Sequence, residues 1–377
     1  SGDWRPVALA GESYRTFIPR PLPPQPMVAL DLKAQALLEA AVLALGRLDG
    51  IARTLPETQL FLYMYVRKEA LLSSQIEGTQ SSLSDLLLFE NAEPTEFSID
   101  DVIEVSNYVD AMEFGIEELK SLPLSTRLFR EIHARLLSRG RGSEKSPGEY
   151  RISQNWIGGS RPGNALYVPP PPDAVAQCMS DLERFLNDDR NQLPLLVRVA
   201  LAHAQFESIH PFLDGNGRLG RLLITLGLVA AGALEKPLLY LSLFFKEHRS
   251  QYYELLQRTR TDGDWEAWLS FFFAAVESTA TRATETARRI LHLFESDRRR
   301  IDTETSSASV PRLHELLRRT PIVKSSTVAA ALGVTQPTAD TALQRLVSLG
   351  LLREITGRSR NRLYAYTAYL NILQEGT

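Results

Sequence analysis

The chain has 377 residues, a formal net charge of −3 and a hydrophobic fraction of 44%, the balance of an ordinary soluble globular protein with room for two or three domains. Near-neutral charge argues against a protein whose main work is coating nucleic acid. The single cysteine, Cys178, excludes an internal disulfide and any cysteine metal cluster and reads as a packing residue. The longest apolar run, around Leu222 to Leu234, is too short to span a bilayer. The N-terminus is not signal-like, and Ser1-Gly2 reads as the scar of a cleaved tag, so the cytoplasm is expected and no membrane partner.

Taken in order, residues 3 to 28 are Pro-rich, with Pro19, Pro21, Pro23, Pro24 and Pro26, and read as an extended surface arm or a flexible leader. Helical patterning runs from Leu30 to Leu48. A second helix, about Thr58 to Ser74, leads into Ser73-Ser-Gln-Ile-Glu-Gly78, where Ser73 and Glu77 share a helical face and Gly78 suits a C-terminal stop. By its residues alone this segment is a helix end with a solvated glutamate. Asp100 to Leu119 carries a stripe of Val102, Val105, Val109 and Met112. Ser125 is an N-cap candidate for a helix to Leu137. Turn residues from Gly148 to Gly159, followed by Ala165-Leu-Tyr-Val168 and four prolines, predict a short hairpin over 151 to 168, or a plain surface turn. A helix surrounds Asp181 to Leu186.

The most informative stretch is His210-Pro-Phe-Leu-Asp-Gly-Asn-Gly-Arg-Leu-Gly-Arg221. It lies between two apolar segments with helical character, Leu195 to Ile209 and Leu222 to Ala233. Pro211 breaks the first, and Gly215 and Gly217 permit unusual backbone angles. The second helix begins near Gly217 or Arg218, so its unbonded N–H groups and positive dipole end face the loop, which makes an anion site. Arg218 and Arg221, three apart, can reach the same anion from one face. Asp214 beside a polyphosphate implies Mg²⁺, and His210 stands at the mouth as a general base for a hydroxyl. Downstream, Lys246 to Leu255 is amphipathic and contains Tyr252-Tyr253. Trp265 to Arg299 is a long helix ending in a basic cluster, and 301 to 310 is a Ser/Thr-rich linker.

The twelve-residue run resembles the Fic family motif, His-Pro-Phe-x-(Asp/Glu)-Gly-Asn-Gly-Arg-x-x-Arg, and matches every fixed position. The resemblance implies transfer of AMP from ATP to a Ser, Thr or Tyr hydroxyl of a target protein or of the chain itself. It makes His210 the base and Asp214 the Mg²⁺ ligand. Nucleotide binding falls to the loop and helix residues Gly215, Asn216, Gly217, Arg218, Leu219, Gly220 and Arg221, with Asn216 and the Gly215 and Gly217 amides on the α-phosphate and the two arginines on the β and γ groups. Phe212 anchors the loop. The 151–168 hairpin becomes the family's flap, with Leu166, Tyr167 and Val168 holding an extended target segment by strand pairing. One aromatic of the Tyr252-Tyr253 pair, taken as Tyr253, lines the nucleotide pocket. Ser73 to Gly78 resembles the family's inhibitory helix, whose glutamate, here Glu77, pairs with Arg221 in the place of the γ-phosphate. A homodimer is a family expectation.

Residues 311 to 377 hold nine Lys/Arg against four Asp/Glu, a local +5. Thr327 to Thr335, then Gln336 to Leu349, look like helix, glycine turn, second helix. Leu351 to Ile355 and Leu363 to Tyr366 look like strands around a turn bearing Arg358, Arg360 and Arg362. The unit resembles a winged helix that binds DNA through the helix at Gln336, or one that binds protein. Base contacts would fall to Gln336, Thr338, Asp340, Thr341 and Gln344. The expected fold is therefore mainly α, a helical Fic core with a hairpin flap plus a small C-terminal winged helix. The expected divisions are an arm (1–28), N-terminal helices (29–120, with the inhibitory segment at about 70–78), the core (121–300), the linker (301–310) and the winged helix (311–377). Two rivals stand: a DNA-binding regulator that only senses nucleotide, and a transferase moving phosphate, UMP or phosphocholine. An intact His210 favours chemistry over sensing, and the paired arginines favour a triphosphate.

Overall fold

The computed structural model describes residues 1–9, 12–54, 58–80, 86, 99–188, 190, 192–358 and 361–375. Its first element corrects the expected arm. Strands β1 (Gly2–Leu9) and β2 (Glu12–Pro19) form an antiparallel hairpin, with Trp4 opposite Phe17. Phe17 is buried and its ring stands 5.0 Å from Trp4 and 6.1 Å from Tyr167. The prolines lie at and beyond the end of β2, where no further ladder bond is needed.

Helix α1 (Leu32–Thr54) lies along the long helix α10 (Trp265–Glu304), burying Ala41, Leu45, Leu48 and Ala52. Helix α2 (Thr58–Ile76) packs on α3 (Ile99–Glu118) and on the short α8 (Ser242–Glu247). The valine stripe of α3 is indeed core, and α3 also packs on α4 (Thr126–Leu136), whose Ser125 accepts from the Leu128 N–H at 3.3 Å. Helix α5 (Pro172–Leu186) buries Cys178 against the core.

At the centre are α6 (Leu195–Ile209) and α7 (Asn216–Ala230). Almost every side chain of α6 is buried, as its apolar sequence requires. The two helices approach closely because Gly227 faces Val199, where a Cβ would sit 3.3 Å from a methyl group. Helix α9 (Arg249–Thr261) and α10 close the other side, with Tyr252, Trp268 and Phe272 buried.

Helix α10 has 40 residues, roughly 60 Å at 1.5 Å per residue. It continues to Glu304, through the first residues of the expected linker. Its far end carries the C-terminal module. There α11 (Ser309–Arg319), β3 (Ile322–Lys324), α12 (Ser325–Leu332), α13 (Gln336–Ser348), β4 (Arg353–Glu354), β5 (Leu363–Ala365) and α14 (Thr367–Gln374) pack around a three-stranded antiparallel sheet in the order β3-β5-β4. Gly333, at φ +63°, makes the turn between α12 and α13. The module is fastened to α10 by the buried Tyr366 hydroxyl on Asp297 (2.5 Å) and by Arg300 on the Leu349 carbonyl (2.7 Å). Among the described residues, no helix is long and apolar enough to cross a membrane.

Candidate active site at the start of a buried helix

His210 ends α6 in the left-handed region, φ +49° and ψ +60°, a conformation that costs a non-glycine residue energy and so marks a site held by its surroundings. What holds it is Arg151. This buried side chain donates from Nε to the His210 carbonyl at 2.9 Å and from Nη2 to the Pro170 carbonyl at 2.6 Å. The His210 Nδ1 is buried with no hydrogen-bond partner among the described residues. Burial, then the nearby Arg151 and Arg260 charges, bring the imidazole down to about 3. At neutral pH it is therefore an uncharged base.

The loop is closed from within. Asn216 accepts from the Phe212 N–H at 2.9 Å and donates to the Phe212 carbonyl at 2.8 Å. Its side chain is thus engaged with the loop itself. Phe212 is fully buried and stacks on His133 at 3.7 Å. His133 accepts from Gly148 N–H on Nδ1 at 2.8 Å, so its Nε2–H donates to the Asp214 carbonyl at 2.9 Å. Helix α7 starts at Asn216, with Gly215 at φ +75° before it and the first intrahelical bond from Leu219 to Gly215. The N–H groups of Asn216, Gly217 and Arg218 have no intrahelical acceptor and form the open positive end. Leu219 itself is wholly buried, a core contact of α7.

The two motif arginines do not converge on one point. Each is buried and each meets a carboxylate from the N-terminal helices. Arg221 donates from Nη2 to Glu77 Oε1 at 2.7 Å and to the Ser73 carbonyl at 2.9 Å, and from Nε to the Ser73 hydroxyl at 2.9 Å. Burial raises the Glu77 carboxyl, but the Arg221 guanidinium outweighs it and holds the group below its ordinary range. Gly217 makes room for this contact, since a Cβ there would lie 2.3 Å from Glu77 Oε1. Helix α2 stops at Ile76, and Gly78 at φ +107° turns the chain so that Glu77 reaches the loop. Arg218 donates to Glu104 Oε2 at 3.1 Å and lies 3.8 Å from Asp214.

Glu104, Arg151 and His133 are not legible as site residues in the sequence. Glu104 sits on an apolar helix where it looks like an ordinary surface charge, and the other two have local sequences without a motif.

Other expected residues separate. Tyr252 is core, its hydroxyl donating to His203 Nε2 at 2.9 Å while His203 Nδ1–H donates to the Gly220 carbonyl at 2.8 Å. Tyr253 is 38% exposed and feels the charges of Glu77 and Arg221. The hairpin is reduced to one antiparallel bridge, Ile157 with Tyr167, around a short 3₁₀ turn at Pro162–Asn164. Leu166 is 79% exposed, whereas Tyr167 and Val168 are buried. The Val168 carbonyl already accepts from Phe17 N–H of β2 at 2.9 Å. This side of the hairpin is therefore covered by the N-terminal strands.

In the C-terminal module, Thr335 caps α13. Gln336 donates to Ser325, whose hydroxyl also bonds Asp340, and Gln344 donates to the Tyr364 hydroxyl at 3.1 Å. Arg358 and Arg362 flank the wing turn, and Arg360 lies outside the described residues.

A Fic/DOC family N-terminal model matches residues 35–117, a Fic/DOC family model matches residues 123–228, and a helix-turn-helix DNA-binding domain model matches residues 310–365. Among curated relatives, a Protein adenylyltransferase Fic from Drosophila grimshawi is 29% identical over 276 residues, covering 72% of this chain and 52% of the relative. One from Drosophila mojavensis is 31% identical over 226 residues, 58% of this chain and 42% of the relative. The chain thus spans about half the length of the curated relatives it matches. Among solved structures, a Fic family protein from Desulfovibrio desulfuricans G20 has a TM-score of 0.60 at 21% identity, over 91% of this chain and 98% of that one. Fic-1 from C. elegans has a TM-score of 0.51 at 22% identity, over 68% of this chain and 73% of that one. These neighbours share the fold. The matched segments take in Glu77 as well as His210 and Arg221: the chain carries a Fic/DOC family N-terminal domain and a Fic/DOC family domain, with a helix-turn-helix domain at its C-terminus.

Proposed function

We propose that the chain is a protein adenylyltransferase held inactive by its own α2. The observation that carries the reading is the Glu77–Arg221 contact at the mouth of a helix end with open amides, beside an uncharged base, His210. Transfer requires the target hydroxyl to give its proton to His210 as its oxygen bonds to the α-phosphorus and pyrophosphate leaves. The neutral imidazole suits that step. The α7 amides and Arg218 stabilise phosphate charge, and Tyr253 offers an aromatic face near Arg221 for the base of ATP. Glu77 occupies the guanidinium that would hold the γ-phosphate and would repel that phosphate, so the α-phosphorus is not aligned.

Asp214 fits Mg²⁺. Its carboxylate is partly exposed beside Arg218, and a hard cation shared between one carboxylate and substrate phosphates is the usual Mg²⁺ arrangement. Bound there, the ion would offset phosphate charge. Among the described residues there is no cluster of three or more metal-ligating side chains, so the phosphates would supply the other ligands.

For the flap, the covered Val168 side leaves the Trp156 to Gly158 edge for an extended target segment. Ile152, Trp156 and Leu166, at 93%, 39% and 79% exposure, give it apolar contacts. The winged helix binds DNA in this reading, through its basic wing. Intact-mass measurement after incubation with ATP and Mg²⁺ tests the central claim. The native chain should gain little and Glu77→Gly should gain AMP. No added AMP in either would overturn the assignment, and addition of a phosphate or UMP would replace the group transferred.

A further inference from the structure

The last turn of α6 has carbonyls that its own helix does not satisfy, and the sequence supplies the reason. The Glu207 carbonyl would be met by the N–H of residue 211, but that residue is Pro211 and has none. The Ser208 carbonyl would be met by the Phe212 N–H, which donates to Asn216 Oδ1 at 2.9 Å instead. Side chains from elsewhere take both places. Arg260, buried near the end of α9, donates from Nη2 to the Glu207 carbonyl at 3.2 Å and from Nε to the Ser208 hydroxyl at 3.1 Å. The buried Tyr167 hydroxyl donates to the Ser208 carbonyl at 2.5 Å. The two residues also hold each other, since the Arg260 guanidinium lies 3.9 Å from the centre of the Tyr167 ring. Phe17 and Trp4 pack on that ring as well, at 6.1 and 6.5 Å.

Two parts of the proposed site are joined in this way. On one side, Tyr167 belongs to the flap, and its carbonyl accepts from the Ile157 N–H at 2.8 Å. The Trp156 to Gly158 edge, offered to a target segment in the proposed function, is therefore one strand spacing away, roughly 5 Å. On the other side, Glu207 and Ser208 lie in the turn that ends at His210. The Glu207 carbonyl faces the His210 imidazole and favours its protonated form, against the larger effects of burial and of the Arg151 and Arg260 charges. Tyr167 and Arg260 are themselves buried, so their part is not contact with a target. Buried donors and acceptors are costly to separate, which makes the join rigid.

We propose that Tyr167 and Arg260 are positioning residues for His210, a clamp that fixes the flap to the end of α6. The strand that receives the target and the imidazole that takes its proton then keep one separation. The purpose of the clamp rests on the proposed transfer, whereas the coupling between flap and imidazole does not.

Ring NMR of the full chain with labelled histidine tests the coupling without ATP, the His210 signals being assigned by their loss in His210→Ala. Tyr167→Phe removes one hydroxyl and keeps the ring against Arg260. Arg260→Lys keeps the charge but cannot span the Glu207 carbonyl and the Ser208 hydroxyl together. Each should shift the His210 ring signals while those of the exposed His248 stay in place. In the Glu77→Gly background each should lower kcat for self-modification about tenfold or more, with KM for ATP changed by less than about twofold. Arg260 is buried, so if its variant does not fold, Tyr167→Phe decides. Unmoved His210 signals, or a loss that falls wholly on KM for ATP, would overturn the clamp. A lowered Tm with kcat unchanged would overturn it too, leaving a merely structural contact. Shifted His210 signals with no transfer even by Glu77→Gly would support the clamp while counting against the proposed activity.

Discussion

At the start of α7, Arg218 and Arg221 are both buried, and each meets a carboxylate from a distant helix. At the start of α13, the polar side chains are exposed and bond to one another, Gln336 to Ser325 and Ser325 to Asp340. In the proposed function both are helix N-termini offered to phosphate-bearing partners. The first is desolvated, so single charges there have large consequences and motif spacing carries real information. The second is wet, so its charges are screened and its partner is decided by a sum of weak interactions.

The sharpest way to break this contrast is to remove the carboxylate from the buried end. Glu77→Gly should raise self-modification by orders of magnitude, since a few kcal/mol of misalignment corresponds to that factor. Arg221→Ala should be inactive with or without Glu77. If the double variant matched Glu77→Gly in an ATP transfer assay, Arg221 would not be the residue that Glu77 blocks.

Next in size, His210→Ala in the Glu77→Gly background should lower transfer about 10²–10⁴-fold with little change in ATP affinity. The same base gives a pH expectation. Since His210 is held down to about 3, lowering the pH from about 8 to 5 leaves it neutral, and no loss of transfer should come from its protonation. A rate falling through a midpoint near 6.5, absent in profiles of other steps, would mean an ordinary solvated histidine.

Glu104→Ala leaves the buried Arg218 with only its longer contact to Asp214, and breaking a buried pair costs about 3–5 kcal/mol. Thermal unfolding should show a clear drop in Tm. An unchanged Tm would place Arg218 in contact with solvent.

The smallest effect belongs to the wet end. In the full chain, Arg358→Ala with Arg362→Ala should lower the salt slope of duplex DNA binding by about 0.9 for each phosphate that is no longer neutralised. DNA binding with an unaltered slope would move the interaction off the wing, and no binding at low salt would make the module a protein-contact domain.

The motif is legible because its physics is local. Pro211, Gly215 and the following helix set the backbone within a few residues, and the structure places the open amides at the expected helix start. The Glu77–Arg221 contact spans 144 residues of chain, and no spacing rule gives it. Only the family resemblance connects the two residues. The N-terminal strands are hidden by the run of prolines that follows them, and the rings of Trp4 and Phe17 pack with Tyr167, far along the chain.

By itself the sequence determined the break and helix start of the His210–Arg221 loop, the mainly helical class and the basic C-terminal module. These follow from residue types acting on their immediate neighbours. Tertiary structure alone decided that Arg218 is held by Glu104, that Arg151 fixes the His210 backbone, that Asn216 closes the loop, and that the flap has one covered side. Each depends on buried polar groups finding partners from segments far apart in the chain. A charged residue that becomes buried looks, in sequence, the same as one that stays in water.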